Sequence, residues 1–245
     1  MSHQTEPATL IVRRALETDI DRLMEVQFSA FENDPYHEAL FPGPHHSPAV
    51  RKVAGQRTLD DWRNTAVQDI MVCTNAQTGE ILGFAAWYFY LHERPREEWE
   101  KMPSITWAEG EEKRQAEAFL GVTARMRMKI WEGRPHICKI LTGCRLEEAT
   151  SIRQAKRELT FAVVLGLLCV HRDAQRKGVG AALVQWGLDR SREERLPAYL
   201  EASPAGFPLY QKLGFNKIDT MIVKAEDWHG DRDLQYNVML HDVRI

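Results

Sequence analysis

The hexapeptide Gln175-Arg176-Lys177-Gly178-Val179-Gly180 sets two glycines two residues apart, where a short polar turn becomes a helix. Glycine lacks a β-carbon and tolerates left-handed backbone. The N–H groups of such a corner stay uncovered at the point where the helix presents its positive dipole end. A place of this kind binds an anion, most naturally a phosphate or pyrophosphate. It is neither a Walker loop, which ends in Gly-Lys-Ser/Thr, nor the dinucleotide fingerprint Gly-x-Gly-x-x-Gly. The bland alternative is a glycine-containing strand-to-helix corner, which needs no second glycine two residues on.

The neighbouring elements must hold that turn. Leu165 to Val170 is an apolar run too short for a helix and closed by a charged cluster, and it reads as a buried strand. The helix after the turn runs from Gly178 to about Glu194, with Val179, Ala182, Leu183, Trp186 and Leu188 on its apolar face. Upstream, Leu10 to Arg14 is a strand and Thr18 to Phe31 an amphipathic helix with a Thr18/Asp21 capping box. The stretch from Phe31 to Pro48, rich in Pro, His and aromatics, fits either a surface loop or the wall of a pocket. Ser47-Pro48 then opens a helix to about Asn64. Asp69 to Thr74 and Glu80 to Tyr90 form a hairpin. A Trp-punctuated insertion follows, with a helix over Glu109 to Glu132 that either packs on the sheet or serves as a lid; packing is favoured by its apolar spacing. Ser151 to Leu159 fits a short helix. Downstream come a strand (Ala198 to Ala202), a short helix (Phe207 to Leu213) closed by Gly214, and two strands (Phe215 to Val223, Leu234 to His241) around the polar loop AEDWHGDRD.

Composition removes several classes. With 245 residues and a net charge of -3, the chain has ample material for a core and no basic footprint for nucleic acid or an anionic membrane. No apolar run approaches the roughly 20 residues needed to span a bilayer. The start, MSHQTEPATL, shows no signal-peptide pattern, and the four cysteines form no CxxC pair. The expectation is a cytoplasmic protein with reduced thiols. No His/Cys/Asp/Glu cluster has metal-ligand spacing, so no metal is expected.

Three stretches carry a resemblance. They are Leu168-Cys169-Val170 followed by Gln175-Arg176-Lys177-Gly178-Val179-Gly180-Ala181, then Leu200-Glu201-Ala202-Ser203-Pro204-Ala205-Gly206, then Leu209-Tyr210-Gln211-Lys212-Leu213-Gly214-Phe215. Together with the element order, they resemble the GNAT N-acetyltransferases, most closely the filamentous-fungal type. The resemblance implies an α/β fold, the acyl-CoA N-acyltransferase fold: a mixed, mostly antiparallel sheet with a splayed central parallel pair, flanked by helices. It implies a single domain over residues 1–245 with insertions at about 92–133 and 138–164. The implied activity is acetyl transfer from acetyl-CoA to an amine.

The family's residue roles map as follows. The backbone of Leu168, Cys169 and Val170 would meet the pantetheine arm. The N–H groups from Arg176 through Lys177, Gly178, Val179 and Gly180 to Ala181 would hold the pyrophosphate, with Gln175 shaping the turn. Arg176 and Lys177 assist the CoA phosphates or are simply solvated. Ser203 stands where relatives place a polar side chain on the cofactor. Tyr210 matches the family's general acid, which protonates the departing thiolate. Direct attack also needs a proton acceptor. Glu201 is the first candidate, facing either the cleft or solvent by strand alternation. Asp34, His37 and His136 are weaker ones. The implied acceptor is a small amine, with a protein lysine or N-terminus as the alternative. A catalytically silent acyl-CoA-binding module is a reading from another class. The implied state is monomer or homodimer.

One departure stands out. In fungal relatives a Pro-His pair leads almost directly into the cofactor strand, whereas here Pro135-His136-Ile137 is separated from Leu165 by Cys138 to Val164. Two readings follow, a real excursion at the edge of the cleft or translated non-coding sequence. The second is favoured, because a charged insert at the mouth of a central strand is hard to accommodate.

Overall fold

The computed structural model describes residues 9–41, 47–91, 105, 108–131 and 162–242, the side chains of 126–131 and 162 excepted. The short helix predicted over Ser151 to Leu159, together with Cys138, Cys144 and His136, lies outside these residues.

Two apolar strands, β2 (Gln68–Asn75) and β3 (Ile81–Tyr90), form the predicted hairpin. Gly79 closes its turn at φ 72°, and Asn75 Oδ1 accepts the N–H of Gln77 at 2.9 Å. β3 is buried on both faces, as its unbroken apolar sequence requires of a central strand. Its neighbours are β2 and β4 (Ala162–Val170). With β1 (Leu10–Arg14), β5 (Ala198–Ala202), β6 (Asn216–Val223) and β7 (Leu234–His241), they make one sheet in the order β1-β2-β3-β4-β5-β7-β6. Every pairing is antiparallel except β4 with β5. This is the expected mixed sheet with a central parallel pair.

Helices cover both faces. On one, α1 (Ile20–Ala30) and α3 (Pro48–Asn64) bury Leu23, Val26, Phe28 and Ala54 against Ile70, Val72, Phe84 and Ala86. On the other, α5 (Val179–Glu194) buries Leu183, Val184 and Leu188 against Met71, Trp87, Val163 and Leu165. α4 (Gly110–Trp131) belongs to a separate cluster at the far edge, where Phe119 meets Trp228 edge-on with ring centroids 5.7 Å apart. Its apolar stripe is therefore packed, as favoured for this insertion. No described helix is long and apolar enough to cross a membrane.

Four expectations change. The cap before α1 is not a Thr18/Asp21 box: Asp19 Oδ2 accepts the Leu16 N–H at 2.8 Å, and a 3-10 turn (Glu17–Asp19) precedes the helix. The stretch after Phe31 is not simply loop, since α2 (Pro35–Leu40) forms within it; Asp34 as N-cap and Pro35 at N1 were the available signal. AEDWHGDRD contains a one-turn helix, α7 (Ala225–Trp228), that buries Trp228. Finally, β4 begins three residues before Leu165, and Val163 and Val164 pair with Ala198 and Tyr199. The last three residues of the supposed insert, Ala162 to Val164, are therefore part of the sheet.

α5 approaches the sheet closely only because residue 187 is glycine: a β-carbon there would lie 2.1 Å from Trp87 Cζ2. Trp87 is fully buried and has nowhere to move. Gly187→Ala is expected to lower unfolding stability by about 1–3 kcal/mol, the usual scale for overpacking, in urea titrations followed by tryptophan fluorescence.

Candidate active site

β4 and β5 run together for only three pairs, ending at Leu165 with Leu200. Beyond that point β4 pairs with β3 alone, and Glu201 and Ala202 of β5 pair with β7 alone. The register against β3 explains the parting. Ala86 faces Leu167 and Trp87 faces Leu165, so Gly166 is one extra residue on β4, a β-bulge that bends the strand. A β-carbon on Gly166 would lie 2.5 Å from the Tyr88 ring, so the bulge also needs glycine for packing. An isolated glycine in an apolar strand is the signal that would have revealed it.

The bulge reverses which face each residue addresses. Val163 and Leu165 pack toward α5, as do Leu168 and Val170 beyond the bulge, whereas Leu167 and Cys169 pack toward α1. His171 N–H bonds Leu82 O at 2.9 Å, which fixes the hydrogen-bonding parity of the strand. By alternation the backbone groups of Leu168 and Val170 turn into the wedge between β4 and β5. Cys169 differs from these two: its side chain is fully buried in the α1 cluster, and burial pushes its thiol pKa up. Gln175 shapes the exit, donating from Nε2 to Val170 O at 3.2 Å.

The turn beyond the wedge is strongly coiled. Arg176 at φ 59° and Gly178 at φ 87° both adopt left-handed backbone, and Gly178 caps α5. The first helical bond runs from Ala182 N–H to Gly178 O at 2.9 Å. The N–H groups of Val179, Gly180 and Ala181 consequently have no intrahelical partner and point out of the helix. A β-carbon on Gly180 would meet Leu209 at 3.2 Å and Val170 at 3.6 Å, so this first turn sits directly over the wedge. Arg176 and Lys177 are exposed at its lip. The concave row of amides could hold a diphosphate.

On the same face, α6 (Phe207–Lys212) brings in Tyr210. Its ring is 8% exposed and meets Phe215 edge-on at 5.9 Å. Burial, and secondarily the nearby Cys169, raise the phenol well above its ordinary value, so it stays protonated throughout the neutral and mildly alkaline range. Ser203 is partly turned to local structure, with Oγ accepting the Gly206 N–H at 3.3 Å.

Glu201 faces the other way, opposite Leu200 and Ala202. It accepts the Tyr199 hydroxyl at 3.1 Å and stands across from Val238 on β7. This second face is roofed by α2. Tyr36 stacks edge-on against Tyr236 with centroids 4.6 Å apart. The Tyr36 hydroxyl donates to Gln235 O and accepts the Gln235 N–H, at 3.1 Å for the latter. His37 is buried among Phe28, Phe31 and Phe41, with ring centroids 4.7–5.5 Å away. Tyr36 is one of the aromatics, with Phe31 and Phe41, that mark this segment as a surface loop or a pocket wall, but nothing local marks its partner 199 residues away.

The model of the acetyltransferase (GNAT) domain matches residues 111–229, from α4 through α7, which includes the glycine turn, β5 and Tyr210. Probable acyltransferase SID5 of Ajellomyces capsulatus is 30% identical over 141 residues, covering 57% of this chain and 79% of that protein. The chain belongs to the GNAT N-acetyltransferase family. It is an acyltransferase whose donor is acetyl-CoA. Solved structures share the fold over nearly the whole chain. A histone acetyltransferase HPA2 and related acetyltransferase from Corynebacterium glutamicum superposes with a TM-score of 0.57 at 19% identity, covering 96% of both chains. The mosquito arylalkylamine N-acetyltransferase like 5b does so with a TM-score of 0.57 at 13% identity, covering 95% of this GNAT chain and 99% of its own.

The exposed amides of the first turn leave little room for a side chain. Gly180→Glu, which adds bulk and a negative charge beside them, is expected to weaken acetyl-CoA binding at least about tenfold in calorimetric titration, with the melting temperature nearly kept.

Proposed function

We propose that this GNAT enzyme transfers the acetyl group of acetyl-CoA directly to a small amine within a ternary complex. The observation that carries this reading is the wedge itself. Backbone of Leu168 and Val170 that has no partner on β5, the Val170 carbonyl being held by Gln175, lies between an amide cradle and Tyr210 on one face and Glu201 on the other. The polar groups of Leu168 and Val170 match the amide-bearing pantetheine arm, which would add itself to β4 as a short strand. The N–H groups of Val179, Gly180 and Ala181 would take the diphosphate, with Arg176 and Lys177 as exposed cations alongside. Gln175 keeps the turn in shape, and Ser203 borders the arm.

In the reaction the acceptor nitrogen attacks the thioester carbonyl, the C–S bond breaks with its electron pair going to sulfur, and Tyr210 supplies a proton to that sulfur. A buried phenol kept protonated suits this role, because the leaving thiolate gains an acid that solvent pH does not remove. Glu201, on the acceptor face, draws in the ammonium form of the amine. Holding both partners at once replaces a collision by a unimolecular step.

A small acceptor is favoured over a protein lysine or N-terminus by Tyr36. Its hydroxyl occupies both backbone groups of Gln235, so an extended peptide has no free strand edge there. Cys73 and Cys169 are buried free thiols, which agrees with a reducing cytoplasmic setting.

Tyr210→Phe separates an enzyme from a silent acyl-CoA-binding module. The expected outcome is a fall in kcat of about 100-fold in thiol-release assays across an amine panel, with acetyl-CoA affinity changed less than about threefold. Wild type that binds acetyl-CoA tightly and releases no thiol with any amine favours the silent module.

A further inference from the structure

The chain between α1 and α2 is anchored at both ends. Ser29 Oγ accepts the Arg172 N–H at 3.3 Å, and Glu32 pairs with the Arg172 guanidinium, fastening the end of α1 to the turn after β4. Tyr36, only four residues on from Glu32, is fastened to Gln235 of β7. In the sheet β5 lies between β4 and β7. The intervening residues must therefore cross the mouth of the wedge, on the face that Glu201 addresses. Asp34 stands midway along that crossing.

Its carboxyl group is prepared for chemistry in three ways. Both of its hydrogen bonds, from Tyr36 N–H at 2.9 Å and His37 N–H at 3.1 Å, use Oδ1. Among the described residues no donor reaches Oδ2 and no lysine or arginine pairs with the group. Burial raises its pKa, and the like charge of Glu38 adds to the rise, while the two amide donors oppose it. Glu201, by contrast, already accepts the Tyr199 hydroxyl.

We propose that Asp34 is the general base of the acetyl transfer: its Oδ2 removes a proton from the acceptor ammonium, directly or through one water, while Glu201 holds the amine on the sheet side. This rests on the acetyl-transfer reading above. The ammonium gives one proton to Asp34, and the freed nitrogen pair forms the bond to the carbonyl carbon. As the C–S bond breaks, Tyr210 protonates the sulfur. The acylated nitrogen sheds its second proton, which restores Tyr210, and Asp34 returns its own proton to water. The titratable groups facing Asp34 are Tyr36, His37 and Glu38 on α2, with Tyr236 packed against Tyr36 from β7.

Asp34→Asn tests this cleanly, because asparagine caps a helix as well as aspartate does and α2 keeps its N-cap. The acceptor is the alkylamine that wild type turns over fastest in a panel, and hydroxylamine serves as a nucleophile already neutral at the assay pH. For the alkylamine, kcat of Asp34→Asn is expected to fall about 100-fold with acetyl-CoA affinity and melting temperature kept. Wild-type kcat/KM falls as pH drops through the Asp34 pKa, above the ordinary aspartate range; that limb is expected to vanish in Asp34→Asn and to remain in Asp34→Glu. Turnover of hydroxylamine is expected to survive in Asp34→Asn within about threefold, which a purely structural role would not allow. Glu201→Gln is expected to raise KM and keep the acid limb. If Glu201→Gln loses that limb and Asp34→Asn keeps it, or if Asp34→Asn is as active as wild type on the alkylamine, Asp34 is not the base. Wild type inert toward every amine removes the transfer reading itself, a result told apart by the unmutated protein alone.

Discussion

Parallel pairing between β4 and β5 stops at Leu165 and Leu200 because Gly166 adds one residue to β4 and none to β3. Backbone groups left without partners in a folded protein carry a penalty of about 1–3 kcal/mol each when buried. A wedge opened in the middle of a sheet therefore demands either water or a ligand that offers amides of its own. The bulge supplies that demand and also reverses the strand's facing, so that Leu168 and Val170 pack beneath α5 while their backbone has no partner on β5. Without the extra residue, β4 would continue alongside β5 and the two faces of the sheet would be sealed from each other.

The wedge divides the chemistry by face. Fixed partial charge and a permanently protonated phenol stand on the α5 side, where the amides of Val179, Gly180 and Ala181 and the ring of Tyr210 converge. Carboxylates stand on the other side, with Glu201 on β5 and Asp34 at the N-cap of α2. In the proposed reaction acid and base are thus separated by the sheet, and neither has to discharge the other. Burial raises the pKa of both groups, which keeps the phenol protonated and makes the carboxylate the readier proton acceptor.

The cofactor half was readable in the linear chain because its signals are local. Gln175 to Gly180 places two glycines within one turn, and Tyr210 lies four residues before Gly214, which closes α6 at φ 88°. The other half was not, because its contacts join distant segments: Asp34 is one of several carboxylate and histidine candidates in the sequence, and Tyr36 marks a pocket wall or a loop without showing that its partner is Gln235. The Thr18/Asp21 pairing failed for a different reason. Asp19, two residues earlier, also reaches Arg13 with an ion pair at 2.8 Å, so the stronger acceptor took the cap. β4 was read three residues short, since Ala162 to Val164 carry no charge and show no break, and only the pairing with Ala198 and Tyr199 defines them as strand.

The Tyr36 bridge also governs when the α2 roof comes into being. Its two ends are 199 residues apart, so one of them leaves the ribosome long before the other exists. Until β7 is made and added beside β5, α2 has no backbone to grip, although α1, α3 and the β2–β3 hairpin are already complete. The face roofed by α2 is thus assembled last, after the glycine turn and β5, and a nascent chain in which β7 is not yet made would hold the wedge with no wall over that face.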